Sequence, residues 1–187
     1  MPSHCWNAGD EMGDELRMSA EIAVSETKLS TETAGSDVEL IRKLDVIEKL
    51  IETCRDGQAG YLEAAEHAKN AELRAFFSGQ SMERARFAAQ LESVARRLGA
   101  ADPSRGPSIA SKMHCAWIDL KHRLGGGDAG VLGCVEAGES TAKNHYLQAL
   151  RAGLPPEVQT ILERQAESVS AAYDQVCALR SMYKKAA

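Results

Sequence analysis

The stretch VELIRKLDVIEKLIETCRDGQAGYLEAAEHAK, residues 38–69, decides the architecture. Its apolar members Leu40, Leu44, Ile47, Ile51, Cys54, Tyr61, Ala65 and Ala68 recur in steps of three and four. An α-helix turns once every 3.6 residues or so, so this spacing stacks them into one seam and predicts a long helix buried along one side. Ser36-Asp37 offers an N-cap for it. The pattern breaks at Asn70 and restarts with Leu73, Phe76, Phe87, Leu91, Val94 and Leu98, a second helix stopped by Gly99 and by the breakers Pro103, Gly106 and Pro107. So short a joint makes two long helices antiparallel neighbours.

Downstream, Ile109, Met113, Trp117, Leu120 and Leu124 share one side of a shorter helix from about Ser108 to Leu124, ended by Gly125-Gly126-Gly127. No strand precedes these glycines, so they read as a joint rather than a phosphate-cradling loop. Val131, Val135, Ala142, Tyr146 and Ala149 mark another long helix from about Asp128 to Ala152. Gly153-Leu154-Pro155-Pro156 closes it and opens the last, whose seam is Val158, Leu162, Val169, Ala172, Tyr173, Val176 and Leu179. No segment alternates with period two, so the chain reads as all-α. The joining segment of roughly 28 residues can run the length of a long helix, giving a four-helix bundle of two antiparallel hairpins joined by a long crossover that contains a short helix.

The bundle is expected over residues 37–187, behind a disordered acidic tail over 1–36. That tail holds two basic residues (Arg17, Lys28) against seven acidic ones, and accounts for the whole net charge of −5; the remaining residues carry 20 of each sign. A neutral bundle has no basic surplus for nucleic acid, and no apolar run long enough to span a membrane occurs. A homo-oligomer or a protein partner is left open; Phe77 and Leu147, outside the seams, are candidates either for such a surface or for packing against the crossover helix around Trp117. Five scattered cysteines (Cys5, Cys54, Cys115, Cys134, Cys177), without a CxxC pair or a secretion signal, read as reduced thiols in a cytoplasm.

Chemistry in a bundle sits on inward-facing side chains. At about 100° per residue, Glu52, Asp56 and Glu63 fall on the solvent side of the first helix, and the polar residue in its seam is Gln58. Gln80 lies in the second seam with Glu83 and Arg84 on its shoulders; Glu139 lies inside the third, with Glu136 at its boundary, and Gln165 inside the fourth. Gln58, Gln80, Glu83, Arg84, Glu139 and Gln165 are thus expected to form one polar layer across the middle. A di-metal centre needs about four carboxylates and Glu-x-x-His pairs. Glu83 is followed three later by Arg86 and Glu139 by Ala142, so neither makes such a pair. Three readings stay open: a metal-free layer in which Arg84 neutralises a glutamate, a single iron, manganese or zinc ion on Glu83, Glu139 and His145, and, least favoured by this ligand set, an intact di-iron centre. No nucleophile elbow or cysteine–histidine framework points to covalent catalysis, so no catalytic residue and no organic cofactor is assigned.

Four stretches resemble a known family: EKLIETCRDGQAGY (48–61), HCAWIDLK (114–121), CVEAGES (134–140) leading to Tyr146, and LPPEVQTILERQ (154–165). Together they resemble a bacterial family of uncharacterised ferritin-like four-helix-bundle proteins, over about residues 38–183. Gly138-Glu139-x-x-Ala142 with Tyr146 beyond is also similar to the glutamate-bearing helix of rubrerythrin-like proteins, which would make Glu139 a ligand candidate. The expected function is a non-catalytic structural or interaction module, stress-associated by family analogy; the alternative is a ferritin-like metal binder or oxidase with a reduced ligand set centred on Glu139.

Overall fold

A computed structural model describes the backbone of residues 11–100 and 127–185, and side chains from residue 36 onward. The described residues form four helices and no strand: α1 (Glu11–His67), α2 (Ala71–Arg97), α3 (Gly127–Ala149) and α4 (Pro156–Lys185). The expected crossover helix over 108–124 lies outside the described residues.

α1 starts much earlier than its seam. Its backbone is helical from Glu11, inside the stretch whose composition suggests an irregular acidic tail, and it passes through Ser36-Asp37 without a cap. No proline occurs between Pro2 and Pro103 to interrupt a helix. Burial starts later. Val38, Leu40 and Ile41 are exposed, and Ile47 is the first fully buried member of the seam, so Leu40 does not belong to the core. Contacts within the chain accordingly divide it into two units, Met1–Arg42 and Lys43–Ala187, a boundary a few residues beyond 36/37.

The second unit is the bundle. Asn70 caps α2, its Oδ1 accepting from the backbone N–H of Glu72 (2.7 Å) and Leu73 (3.1 Å). α2 ends at Leu98, followed by Gly99 at φ +100°, a left-handed position that a side chain would strain. At the other end of the bundle the Asp128 carboxylate, at the start of α3, accepts from the N–H groups of Lys69 (2.6 Å) and Asn70 (3.0 Å). Helix α3 therefore begins beside the α1–α2 joint, whereas Leu98 and Ala100 pack with Leu154 and Val158 at the far end. The end of α2 and the start of α3 thus lie at opposite ends of the bundle.

Thr53 meets His145 while Lys69 meets Asp128, so α1 and α3 run antiparallel. Ser81 on Gln58, Ser168 on Glu83 and Arg180 on Glu136 join α1 to α2, α4 to α2 and α4 to α3. That leaves α2 and α3 on a diagonal, parallel to one another. Two apolar clusters fill the interior. One holds Ile47, Leu50, Ile51, Leu91, Val94, Leu162 and Val169; the other holds Ala64, Leu73, Phe77, Val131, Leu132 and Val176. Phe77 is fully buried, correcting its expected place outside the seams: its ring lies 6.1 Å from that of Tyr61 and 5.6 Å from that of Phe76. Leu147 is exposed, as its position implies.

Asp128 clamps the joint by two charge-assisted bonds, so Asp128→Ala is expected to lower unfolding free energy by about 1–2 kcal/mol. Urea titration with an unchanged slope checks this; a loss below roughly 0.3 kcal/mol would show that the clamp holds nothing.

Candidate functional site

Between the two clusters sits the polar centre. Arg84 of α2 and Glu139 of α3, on opposite corners, are almost completely buried (1% and 3% exposed), and Arg84 Nη2 donates to Glu139 Oε2 at 2.8 Å. The guanidinium carbon lies 5.8 Å from the Tyr61 ring centre and 5.6 Å from that of Phe87, so π-faces from α1 and α2 replace part of its lost hydration. Gly57 makes the passage: a Cβ there would come within 3.3 Å of Arg84 Cγ and Cδ. Arg84 Nε and Nη1 have no hydrogen-bond partner among the described residues, and the Tyr61 hydroxyl stands beside both Glu139 and Arg84. Burial pushes the Glu139 carboxyl above its usual range despite the pull of Arg84.

Beside this pair runs a chain that takes one residue from each helix. Gln165 Nε2 (α4) donates to Gln90 Oε1 (α2) at 2.9 Å, and Tyr146 (α3) donates to Gln165 Oε1 at 2.7 Å. The Tyr146 proton being committed, the Cys54 thiol of α1 is the donor across the 3.1 Å to the Tyr146 oxygen. Burial raises the Cys54 thiol to about 11 and lifts the Tyr146 and Tyr61 phenols well above their usual value.

The expected layer is therefore partly redrawn. Arg84, Glu139 and Gln165 are central, as their periodicity indicates. Gln58 is exposed and contributes only its backbone carbonyl, to Ser81. Gly57, one position earlier, takes the inward place because the space there is filled from α2 by Arg84. Gln80 is half-buried, its Oε1 without a partner among the described residues. Gln90, Cys54 and Tyr146 are the polar members that sequence reasoning missed; the last two pass for apolar seam residues, and only a glycine inside the seam hinted at an incoming side chain.

The expected metal trio is not brought together. Glu83 sits between α2 and α4, accepting from Ser168 (2.8 Å) and Arg86 (3.4 Å). His145 lies nearly two turns beyond Glu139, its Nδ1 2.8 Å from the Thr53 hydroxyl, and burial with nearby Lys49 holds its pKa below the usual imidazole value. Among the described residues no three His, Cys, Asp or Glu side chains stand close enough to hold a metal ion. His67, on the exposed end of α1, has its Nδ1 2.9 Å from the Glu63 carbonyl oxygen. His4, His114 and His122, with Cys5 and Cys115, lie outside the described residues; Cys54, Cys134 and Cys177 are free thiols. No described helix is long and apolar enough to cross a membrane.

The crossover wiring and inward-facing centre define a ferritin-like helical bundle. The chain belongs to the family described as Domain of unknown function (DUF2383), whose model matches residues 42–152. A solved two-domain protein from Anabaena variabilis, containing DJ-1/ThiJ/PfpI-like and ferritin-like domains, matches with a TM-score of 0.63 at 13% identity, over 78% of this chain and 37% of that one. The likeness shows the ferritin-like fold, and the chain spans little more than a third of that protein. No curated protein matches the chain. Ferritin-like di-metal sites draw glutamates from all four helices. The described residues do not fit one: the buried carboxylate is already bonded to a guanidinium, and among them no three His, Cys, Asp or Glu side chains stand close enough to hold a metal ion.

Arg84→Met would strand the Glu139 charge and is expected to cost about 3–5 kcal/mol, most of it recovered when Glu139→Leu is added. Urea unfolding of the two variants decides; a near-neutral Arg84→Met would deny the pair its role. Above pH 9 stability should also fall. Thiols and phenols whose folded pKa values exceed their unfolded ones keep their stabilising effect in full below the unfolded value. They lose it as pH rises through the folded one, for Cys54 between 9.0 and about 11. Unfolding curves at pH 8, 10 and 11 test it, and a flat response would mean that these groups titrate normally.

Proposed function

We propose that the protein is a non-catalytic ferritin-like bundle, a structural or interaction module of the bacterial cytoplasm, whose centre is closed by a side-chain cation instead of a metal. The observation that carries this reading is the buried Arg84–Glu139 pair. A guanidinium held between two aromatic rings supplies beside Glu139 the positive charge that a divalent ion would otherwise bring. The neighbouring thiol, with its pKa near 11, stays protonated at neutral pH and is a poor nucleophile. Free cysteines suit a reducing compartment.

Elemental analysis tests it, on protein purified without a histidine tag or chelator and again after anaerobic iron loading and desalting. The expected content is far below one metal per chain in both preparations. Near-stoichiometric iron, manganese or zinc that disappears in Glu139→Gln would overturn the proposal in favour of a metal binder with a reduced ligand set.

A further inference from the structure

Residues 101–126 connect two points that the bundle holds far apart. They leave α2 at Ala100, which packs with Leu154, and enter α3 where Asp128 meets Lys69 and Asn70 at the opposite end. The 27 residues of α2 span about 40 Å, and the connecting chain with a helix over 108–124 reaches about 55 Å. Its length therefore suffices to run along the bundle with that helix intact. Because α2 and α3 stand on a diagonal, the run passes outside either α4 or α1. Beside α4 an apolar helix face would meet Glu83, Arg86 and Arg164 in the gap to α2, and the Arg180–Glu136 pair toward α3. Beside α1 lies a groove of about 450 Å³, shared with α3 and walled by Gly57, Gly60, Gly133, Ala137 and Gly138. Burying charges under apolar side chains is costly, and burying glycine and alanine is not.

Heights match as well as lengths. Trp117 stands 10 residues before Gly127, Gly60 stands 10 before Asn70, and Gly138 stands 11 after Gly127. Counted from the joint that Asp128 fixes, the three fall at one level to within about a turn of helix. The bulkiest side chain of the connecting helix thus arrives where both walls lack a side chain. A Cβ built on Gly138 meets no atom within 4 Å, so packing inside the bundle does not explain that glycine. Charge agrees. Asp56 lines the groove half-buried, its carboxyl raised by burial and by Glu52, while Lys49 pairs with Glu52 at 3.4 Å. Residues 101–126 carry four basic side chains against two acidic ones, and Lys112, 15 before Gly127, is level with Asp56, 14 before Asn70.

We propose that the α1–α3 groove is the docking surface for this chain's own residues 108–124, which lie along it as a helix with Ile109, Met113, Trp117, Leu120 and Leu124 inward, Trp117 against Gly60 and Gly138, and Lys112 beside Asp56. Anchors at helical spacing in a groove are a general mode of recognition. The contact goes beyond the proposed role of the polar centre and stands whether or not a metal binds Glu139.

Trp6→Phe makes Trp117 the sole tryptophan of the full chain and so the probe. Its emission should be blue-shifted, with acrylamide quenching at least about threefold weaker than in the urea-unfolded chain. In that background Gly138→Lys sets a charge against the docked ring and should shift emission to the red and raise quenching at least about twofold. Far-UV circular dichroism should still show cooperative unfolding of the bundle. Met113→Asp, on the connecting helix and not on the bundle, should produce the same red shift. Gly79→Lys, at an equally uncrowded glycine on α2, should leave Trp117 as in the parent. Quenching in the parent as strong as in urea would overturn the proposal. So would emission unmoved by Gly138→Lys or by Met113→Asp, or shifted equally by Gly79→Lys. Protection that fades on dilution, as a dimer dissociates in sedimentation velocity, would also overturn it and assign the groove to a second copy.

Discussion

The bundle depends on one buried contact, Arg84 with Glu139, because no other described pair joins two formal charges in the dry interior. Stripping two ions of water is costly, and an apolar pair of equal volume is often no less stable. What the ion pair adds is specificity. It links diagonal helices, so any shift of α2 along α3 by a turn would leave a bare charge in the core. The apolar clusters on either side tolerate small displacements; the pair does not. It therefore sets the height at which the four seams meet.

Local sequence choices bend around that constraint. Gly57 yields its side-chain space to the stem of Arg84, and Tyr61 and Phe87 offer ring faces to its head. The same device recurs nearer the bundle surface, where a Cβ built on Gly133 would come within 3.3 Å of Arg180 Nη2 and that arginine reaches Glu136 at 2.7 Å. The chain Cys54–Tyr146–Gln165–Gln90 then ties all four helices one level away, satisfying polar atoms that burial would otherwise strand. In a fold often used to hold metals, these groups neutralise one another.

Much of this architecture was legible in the chain. Periodicity of three and four, interrupted at Asn70, Gly99 and Gly153, determines the number of helices and their joints, because apolar burial and helix geometry act locally. It also places Arg84, Glu139 and Gln165 inward. Partnership was decided elsewhere. Whether Gln58 or Gly57 faces the core turns on a side chain arriving from α2, and Phe77 is buried because Tyr61 and Phe76 meet it, facts that no single helix encodes. Nor could spacing reveal that Glu83 looks toward α4 while Glu139 looks toward Arg84, since both sit near the edge or centre of their own seams. Sequence fixes which face of each helix is buried; only packing of the four helices decides which polar groups meet there, because those contacts span up to 92 residues of chain.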